Sequence, residues 1–252
     1  MTKDAAIELR EVSVRFGEVR AVESASCAFR IGRMTAIVGP NGAGKSTALH
    51  AMVGLVPYTG EVRIGGQSAA AERGRLIFVP QRNEAALDFP ISVREVVRQG
   101  RFNPKRWFAR SSTSDEERVS AAIERMGISD LSDRQIGALS GGQRQRTFLA
   151  RALAQDGDIY LLDEPFAGVD AKSEGMIVEV LQELKNGGAT VVVVHHDLAT
   201  VQEYFDDVLL MRTTIVDFGS VEEVFDAERL GTTFGGATAV VAALRANSVD
   251  AE

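Results

Sequence analysis

The stretch from Gly39 to Thr47 constrains the fold of this chain more than any other part of the sequence. It matches the pattern G-x-x-x-x-G-K-[ST] at every fixed position. An apolar run at 35–38 precedes it and a segment with helical spacing at 46–55 follows, so a strand, a loop and a helix are expected in that order. Backbone N–H groups and the helix N-terminus then form a cradle for phosphate, which predicts a nucleoside triphosphate site in an α/β fold. The candidate binding residues are Gly39, Pro40, Asn41, Gly42, Ala43, Gly44, Lys45, Ser46 and Thr47.

Two acidic residues end a second apolar run. The segment 158–165 reads Asp-Ile-Tyr-Leu-Leu-Asp-Glu-Pro, and its carboxylates are Asp163 and Glu164. Because α/β sheets place ligands at the carboxyl ends of parallel strands, this pair is expected beside the phosphate loop. Asp163, with Ser46, is suited to hold Mg²⁺, and Glu164 to orient or deprotonate an attacking water. A plain polar strand end is the alternative, which the phosphate loop in the same chain disfavours.

A second glycine-rich segment lies upstream of these carboxylates. Leu139, Ser140, Gly141, Gly142 and Gln143 precede a helical pattern that runs from 144 to 154. Two glycines after a serine at a helix start leave N–H groups free to bind an anion. Alone this pentapeptide is weak evidence, and its position before Asp163 gives it weight.

Aromatic and histidine residues complete the candidate site. Phe16 stands before a predicted turn and could stack on an adenine ring, although a core position is equally open. His195 and His196 follow the apolar run 190–194, and a histidine there can donate a hydrogen bond to a γ-phosphate oxygen. A metal site is disfavoured because successive strand residues point to opposite faces and no third ligand is near.

Composition excludes several other classes of protein. The 252 residues carry a formal net charge of −7, which argues against a generic nucleic-acid binder. The single cysteine, Cys27, excludes an internal disulfide and is expected at a buried strand position. No apolar run reaches the roughly 18 residues of a membrane span, and no signal-peptide pattern is present, so any membrane crossing is expected from other chains.

The order of these motifs resembles that of an ABC-type ATPase subunit. Phe16, the phosphate loop, Gln81, the LSGGQ segment at 139–143, the strand end at Asp163 and His196 stand in the family's order, and the match covers about 7–226. The resemblance implies that Glu164, His196 and Gln81 are catalytic, with Gln81 also in the Mg²⁺ shell. It further implies that LSGGQ binds the ATP of a partner chain and that Asp170 lies in a loop crossing the dimer interface. Tyrosine is more usual at Phe16.

One branch of the family is especially similar. Val79-Pro-Gln-Arg, then Phe89-Pro90 and Gly100-Arg101, resembles the corresponding segment of manganese, zinc and iron importers. An absent tryptophan before Phe89 and the pair Arg98-Gln99 depart from that pattern. Siderophore, haem or cobalamin importers have related segments and stay open as the alternative.

The resemblance implies a P-loop core with an antiparallel β-subdomain and an inserted helical subdomain at about 85–158. A single ATPase domain is expected over 1–236, followed by a tail at 237–252 that is either a short helix or disordered. Capping boxes at Ser92–Glu95 and Ser114–Glu117 are expected to start two helices of the subdomain. The implied cofactor is Mg²⁺ with ATP. The implied partners are a second copy of the chain, transmembrane permease subunits and, indirectly, a solute-binding protein, at the cytoplasmic face of the membrane, with no nucleic acid.

The region 94–110 is strongly basic. Its charged residues are Arg94, Arg98, Arg101, Lys105, Arg106 and Arg110 against Glu95. Either a docking surface for the permease or lipid headgroups, or a solvated face, fits this pattern.

Other classes of ATPase carry the same motifs. DNA-repair relatives carry a long coiled-coil insertion, for which no heptad run exists here, and translation-associated relatives usually have two cassettes. A nucleotide-binding module without turnover would lack the carboxylate at Glu164.

Overall fold

Two β-sheets and the helices around them form the fold of the computed structural model, which describes residues 5–81, 90–102 and 112–236. The strands are β1 (Ala5–Phe16), β2 (Val19–Arg30), β3 (Met34–Val38), β4 (Thr59–Ile64), β5 (Gln67–Ser68), β6 (Leu76–Val79), β7 (Ile159–Asp163), β8 (Thr190–Val194), β9 (Asp207–Arg212) and β10 (Thr214–Ser220). The helices are α1 (Lys45–Val53), α2 (Ala69–Glu72), α3 (Val93–Arg98), α4 (Thr113–Arg125), α5 (Gly141–Leu153), α6 (Ala171–Asn186), α7 (Val201–Tyr204), α8 (Val221–Val224) and α9 (Ala227–Phe234).

The first sheet is antiparallel and has the order β2-β1-β4-β5. Strands β1 and β2 form a hairpin whose turn contains Gly17, and the φ of +57° at this glycine is a value that most side chains disfavour. Alternate residues of β1 are buried, as expected for a sheet with one face on the core. The predicted antiparallel layer is confirmed.

The second sheet has the order β10-β9-β3-β8-β7-β6. Strands β9, β3, β8, β7 and β6 are parallel, and β10 is antiparallel to β9 at one edge. Every residue of β3, β7 and β8 is buried, because helices or the first sheet cover both faces. The α/β fold class predicted from the phosphate loop is confirmed, and β3, β7 and β8 end at one edge of the sheet.

Helices α3, α4 and α5 lie between the neighbouring strands β6 and β7 along the chain, and they pack against one another. Parallel neighbours need a connection that returns to the start of the sheet, and α5 makes this return before β7. Helix α5 therefore begins on the side of the sheet where the parallel strands end. The extent of the predicted helical subdomain, 85–158, and the C-terminal tail of the chain at 237–252 stay predictions, since 82–89, 103–111 and 237–252 are not among the described residues.

The two predicted helix starts have different outcomes. Ser92 caps α3 as expected: its Oγ accepts from the Glu95 N–H at 3.3 Å, and the Glu95 carboxylate accepts from the Ser92 N–H at 2.8 Å. The start of α4 was predicted two residues too late, because the capping box pairs Ser112 with Asp115. The aspartate is shorter than the glutamate of the usual pattern but reaches the Ser112 N–H at 3.1 Å.

In the ranges that the structure describes, no helix is both long and apolar enough to cross a membrane.

Candidate functional site

The phosphate loop follows β3 and leads into α1, as predicted. Glycine is required at two positions because other parts of the backbone lie against the loop. A Cβ at Gly39 would lie 2.0 Å from the Met211 carbonyl oxygen, and one at Gly44 would lie 2.1 Å from that of Ala21. Gly44 also has a φ of +91° as the N-cap of α1. Strands β9 and β2 thus fix the shape of the loop.

Lys45 bends back over this loop. Its Nζ donates to the carbonyl oxygens of Gly39 at 2.8 Å and Pro40 at 3.0 Å, and the residue is buried. Burial lowers the pKa of Lys45, while the nearby carboxylates of Glu164 and Asp163 oppose the shift. The ammonium group is therefore held over the segment whose glycines allow close approach of an anion.

Two of the predicted Mg²⁺ ligands meet directly. The Ser46 hydroxyl donates to Asp163 Oδ1 at 2.8 Å, which joins the first turn of α1 to the end of β7. Asp163 is almost fully buried, and this burial raises the pKa of its carboxyl despite the bond from Ser46. A hydroxyl and a carboxylate are hard oxygen donors of the kind that Mg²⁺ prefers, so this pair fits the ion.

Glu164 has an unusual backbone. Its φ of +50° lies in the left-handed region, although it is not a glycine. Its N–H donates to the Val194 carbonyl at 3.2 Å, and its own carbonyl accepts from Ala167 at 3.2 Å. Gln81 Nε2 donates to Glu164 Oε2 at 2.5 Å. The glutamine predicted to be catalytic and the predicted base are thus in contact.

The two histidines occupy different environments. His196 is exposed just beyond β8, at the edge where β3 and β7 also end, while His195 is buried. Their ring centroids are 5.9 Å apart. No group of three or more His, Cys, Asp or Glu side chains suited to a metal occurs within the described ranges. The structural setting of His195 was not anticipated from the sequence, where only its adjacency to His196 was visible.

The LSGGQ segment forms the start of α5. Ser140 caps the helix through the Gln143 N–H at 3.3 Å, and Leu139 is buried beneath it. A Cβ at Gly141 would lie 3.0 Å from the Gly168 carbonyl oxygen, and one at Gly142 would lie 2.9 Å from Ser173 Oγ. These glycines let the start of α5 pack closely against the loop at Gly168 and the first turn of α6.

That loop ends at the predicted interface residue Asp170. Asp170 caps α6, since its Oδ1 accepts from the Ser173 N–H at 2.9 Å. Its Oδ2 accepts from the Ser173 hydroxyl at 2.9 Å. The start of α5 and the loop before α6 are therefore in contact within one chain.

Phe16 is the last residue of β1 and is 50% exposed. This exposure excludes the core alternative for Phe16 and leaves its ring free to stack. Cys27 lies in a strand, β2, as predicted, but is partly rather than fully buried; this burial raises the pKa of its thiol to about 12.

Three arginines of the basic region at 94–110 are engaged by other residues of the same chain. Arg98 pairs with Glu116 at 2.7 Å, and Arg94 donates to Ser120 Oγ at 3.2 Å. Arg101 is only 16% exposed in its side chain and pairs with Asp115 and Asp156, each at 2.9 Å. Helices of the same chain thus engage all three arginines, and the docking surface stays a prediction. Lys105, Arg106 and Arg110 lie outside the described residues.

Known proteins with similar sequences are ABC transporter components. The sequence profile described as ABC transporter matches residues 22–167. The chain is 41% identical over 230 residues to the manganese transport system ATP-binding protein MntB of Halalkalibacterium halodurans, covering 91% of this chain and 92% of that protein. It is 47% identical over 220 residues to the zinc transport system ATP-binding protein TroB of Treponema pallidum, covering 87% and 83%.

Solved structures agree with this comparison. A nucleotide-free ATP-binding cassette from an ABC transporter superposes with a TM-score of 0.79 at 25% identity, covering 94% of this chain and 97% of the other. The cbiO1 protein of Clostridium perfringens, part of the ABC transporter complex cbiONQ, gives 0.76 at 26% identity, covering 91% and 94%. The chain therefore belongs to the ABC transporter family, which confirms the membership expected from its motifs.

Proposed function

We propose that this chain is the ATP-hydrolysing subunit of an ABC importer for a divalent metal ion such as manganese, zinc or iron. The observation that carries the proposal is the direct bond from Ser46 to Asp163, with Lys45 on one side and Glu164 on the other. It supports the proposal because a phosphate loop, an oxygen donor pair and a carboxylate lie together at one edge of the sheet. The names of the relatives MntB and TroB support the class of transported ion.

Each residue of the candidate site has a separate role in ATP hydrolysis. Phe16 stacks on the base, the loop 39–47 cradles the phosphates, and Lys45 neutralises charge at the β- and γ-positions. Ser46, Asp163 and Gln81 would hold Mg²⁺, and the bound ion would supply Lewis-acid stabilisation of charge on the phosphate oxygens. Glu164 accepts the proton of the attacking water, and His196 donates a hydrogen bond to a γ-phosphate oxygen.

A second copy of the chain completes the site. Ser140, Gly141 and Gly142 at the start of α5 face the nucleotide held by the partner copy, and the loop before Asp170 crosses between the two. Loss of the γ-phosphate removes the ligand shared by the two copies, so the dimer opens and drives the permease. The chain lies at the cytoplasmic face of the membrane through that permease, which receives substrate from a solute-binding protein.

The test is Glu164→Gln, which keeps the shape of the side chain but cannot accept a proton. We expect this variant to bind ATP, to lose about 10²–10⁴-fold in turnover, and to run as an ATP-dependent dimer in size-exclusion chromatography. Adding Ser140→Arg should return it to monomer by blocking the anion cradle. The isosteric change Glu179→Gln, at an exposed position of α6, serves as the control and should leave turnover unchanged. Wild-type turnover in Glu164→Gln would overturn the proposal.

The transported ion needs a cellular measurement. In a strain lacking this chain, complementation with the wild-type gene should restore cellular content of manganese, zinc or iron, measured by mass spectrometry. Complementation with Glu164→Gln should not restore it. If the metal contents are the same in all strains, the metal-import part of the proposal is wrong while the ATPase part stands.

A further inference from the structure

His195 lies at the centre of the candidate site without any role in the scheme above. It follows directly after β8, is 1% exposed, and its backbone N–H donates to the Ile37 carbonyl of β3 at 3.0 Å. Its ring Nε2 lies 2.8 Å from Thr200 Oγ1. The ring therefore closes the turn from 195 to 200, and His196 is the second residue of this turn.

The protonation of the ring follows from its partner. Thr200 Oγ1 also lies 3.3 Å from the Asp197 carbonyl oxygen, which can only accept. We assign the hydroxyl proton to that carbonyl, so that the ring donates through Nε2–H; this is an assignment from the hydrogen-bond network. His195 Nδ1 is then an unprotonated nitrogen, and it has no hydrogen-bond partner within the described ranges.

Aromatic rings surround this imidazole. Phe166 meets it edge-on, with ring centroids 5.4 Å apart and an interplanar angle of 88°. The ring centroids of Phe205 and His195 are 5.1 Å apart. Phe166 is only two residues beyond Glu164, so one buried ring contacts both the turn that presents His196 and the segment that presents the base.

The environment keeps the ring uncharged. Burial lowers the pKa of His195 to about 4; the adjacent His196 adds to the shift, and the charge and backbone of Asp197 oppose it. A neutral, fully enclosed ring can neither exchange protons with substrate nor reach a metal in solvent. What it can do is fix the positions of its neighbours.

We propose that His195 is a positioning residue for ATP hydrolysis, whose Nε2–H bond to Thr200 and edge contact with Phe166 hold His196 and Glu164 in register. This inference rests on the proposed function, because it assigns those two residues to the reaction. Loss of the bond should misplace His196 without disturbing the phosphate loop. Turnover should fall while ATP affinity stays, because misplacement of reacting groups costs up to about 10²-fold in rate.

The experiment uses variants that separate the ring from its hydrogen bond. His195→Phe keeps an aromatic ring and removes the donor, whereas His195→Gln loses the ring and places an amide N–H at a similar reach. Thr200→Val removes the acceptor with little change in shape. Thr35→Val is the matched control, since Thr35 is a buried threonine of β3 whose hydroxyl has no partner within the described ranges. Each variant is measured for thermal unfolding, KM for ATP and kcat.

We expect His195→Phe and Thr200→Val each to lower kcat about tenfold or more with KM within about twofold. The double variant should fall no further than either single one, because both remove the same bond. His195→Gln should recover most of the rate, and Thr35→Val should match wild type. Wild-type kcat in His195→Phe, or additive losses in the double variant, would overturn the inference.

The outcome also separates this inference from the function on which it rests. If Glu164→Gln retains turnover, the assignment of the base fails whatever the His195 variants do. If Glu164→Gln is inactive and forms the ATP-dependent dimer while His195→Phe keeps full turnover, only the role of His195 fails. A drop in thermal stability with unchanged kcat would show that the ring contributes to packing alone.

Discussion

Glu164 has a strained backbone conformation next to the candidate site. A non-glycine residue in the left-handed region costs about 1–3 kcal/mol and persists only where the surroundings enforce it. Here the Glu164 N–H is held by Val194 of β8, and Pro165 follows directly. Relaxing Glu164 to an ordinary backbone would break the bond to β8 and turn the carboxylate away from Gln81. The strain is thus tied to the direction of the side chain.

The buried His195 predicts a dependence of stability on pH. In the unfolded chain its pKa lies near the ordinary histidine value of about 6.5, whereas in the folded protein it is about 4. Below about pH 6.5 the unfolded chain takes up a proton that the folded one refuses, so stability is fully present above this pH and falls toward pH 4. The contribution lost is about 3 kcal/mol. Urea unfolding at pH 7.5 and pH 4.5 measures it.

His195→Phe isolates this contribution from that of the carboxylates. The variant has no group titrating at this position, so its free energy of unfolding should change less between the two pH values than that of wild type. The variant also loses the bond to Thr200, so its free energy of unfolding differs from that of wild type at every pH. The quantity to compare is therefore the change in that free energy between the two pH values. Equal changes with pH in both proteins would show that the ring titrates normally in the fold.

Motif spacing predicts some residues of the site better than others. Lys45, Ser46 and Asp163 follow from a phosphate loop and a strand end, because parallel topology then brings them together. The left-handed backbone of Glu164 does not follow, since it depends on a hydrogen bond to β8, about thirty residues later in the chain. The bond from His195 to Thr200 depends on how a turn folds, which residue types alone do not determine.

At the scale of elements, Arg101 ties the helical region together. Its guanidinium pairs with Asp115 at the start of α4 and with Asp156 after α5, and it donates to the Ala154 carbonyl at 2.9 Å. Ser112 and then Arg101 donate to the Asp115 carboxylate and lower its pKa to about 2. One side chain thus connects three segments that are distant in sequence.

Arg101→Ala should therefore destabilise the protein. Hydrogen bonds to charged groups contribute about 1.5–3 kcal/mol each in favourable cases, so we expect a loss of about 2 kcal/mol in the free energy of unfolding, measured in urea. Arg94→Ala is the control: this arginine also belongs to the basic region but makes one exposed bond to Ser120, and its loss should cost less than about 0.5 kcal/mol. Equal losses in the two variants would contradict the assigned role.

The contacts of Arg101 and Asp115 could not be predicted from the sequence pattern. Counting charges from 94 to 110 predicts a basic surface, because Asp156 lies too far along the chain to be recognised as a partner of Arg101. The start of α4 was predicted late because a glutamate was expected at the capping position that Asp115 fills. Strands β3, β6, β7 and β8 were predicted well, since buried parallel strands are nearly continuous apolar runs.

At the scale of the whole molecule, the parallel topology gathers the candidate site. Strands β3, β7 and β8 end at one edge and present the phosphate loop, Asp163 and His195 there. Helix α5 makes the return from β6 to β7, so its start, with Ser140 and Gly141, lies on the same side of the sheet. The element proposed to receive the partner's nucleotide is therefore an obligatory part of the sheet connection.

This connection also has a consequence for how the chain folds as it is synthesised. Leu76 of β6 pairs with Ile159 of β7, which is 159 − 76 = 83 residues later, whereas Phe16 and Val19 pair across a tight hairpin. At about 5–20 residues per second, β6 waits roughly 4–17 s on the ribosome for its only strand partner within the described ranges. Pulse-labelled hydrogen exchange should find β1 and β2 protected before β6, and simultaneous protection would contradict this order. Until β7 emerges, the apolar run Leu76-Ile-Phe-Val79 is an open edge that a chaperone could bind or that another nascent chain could extend.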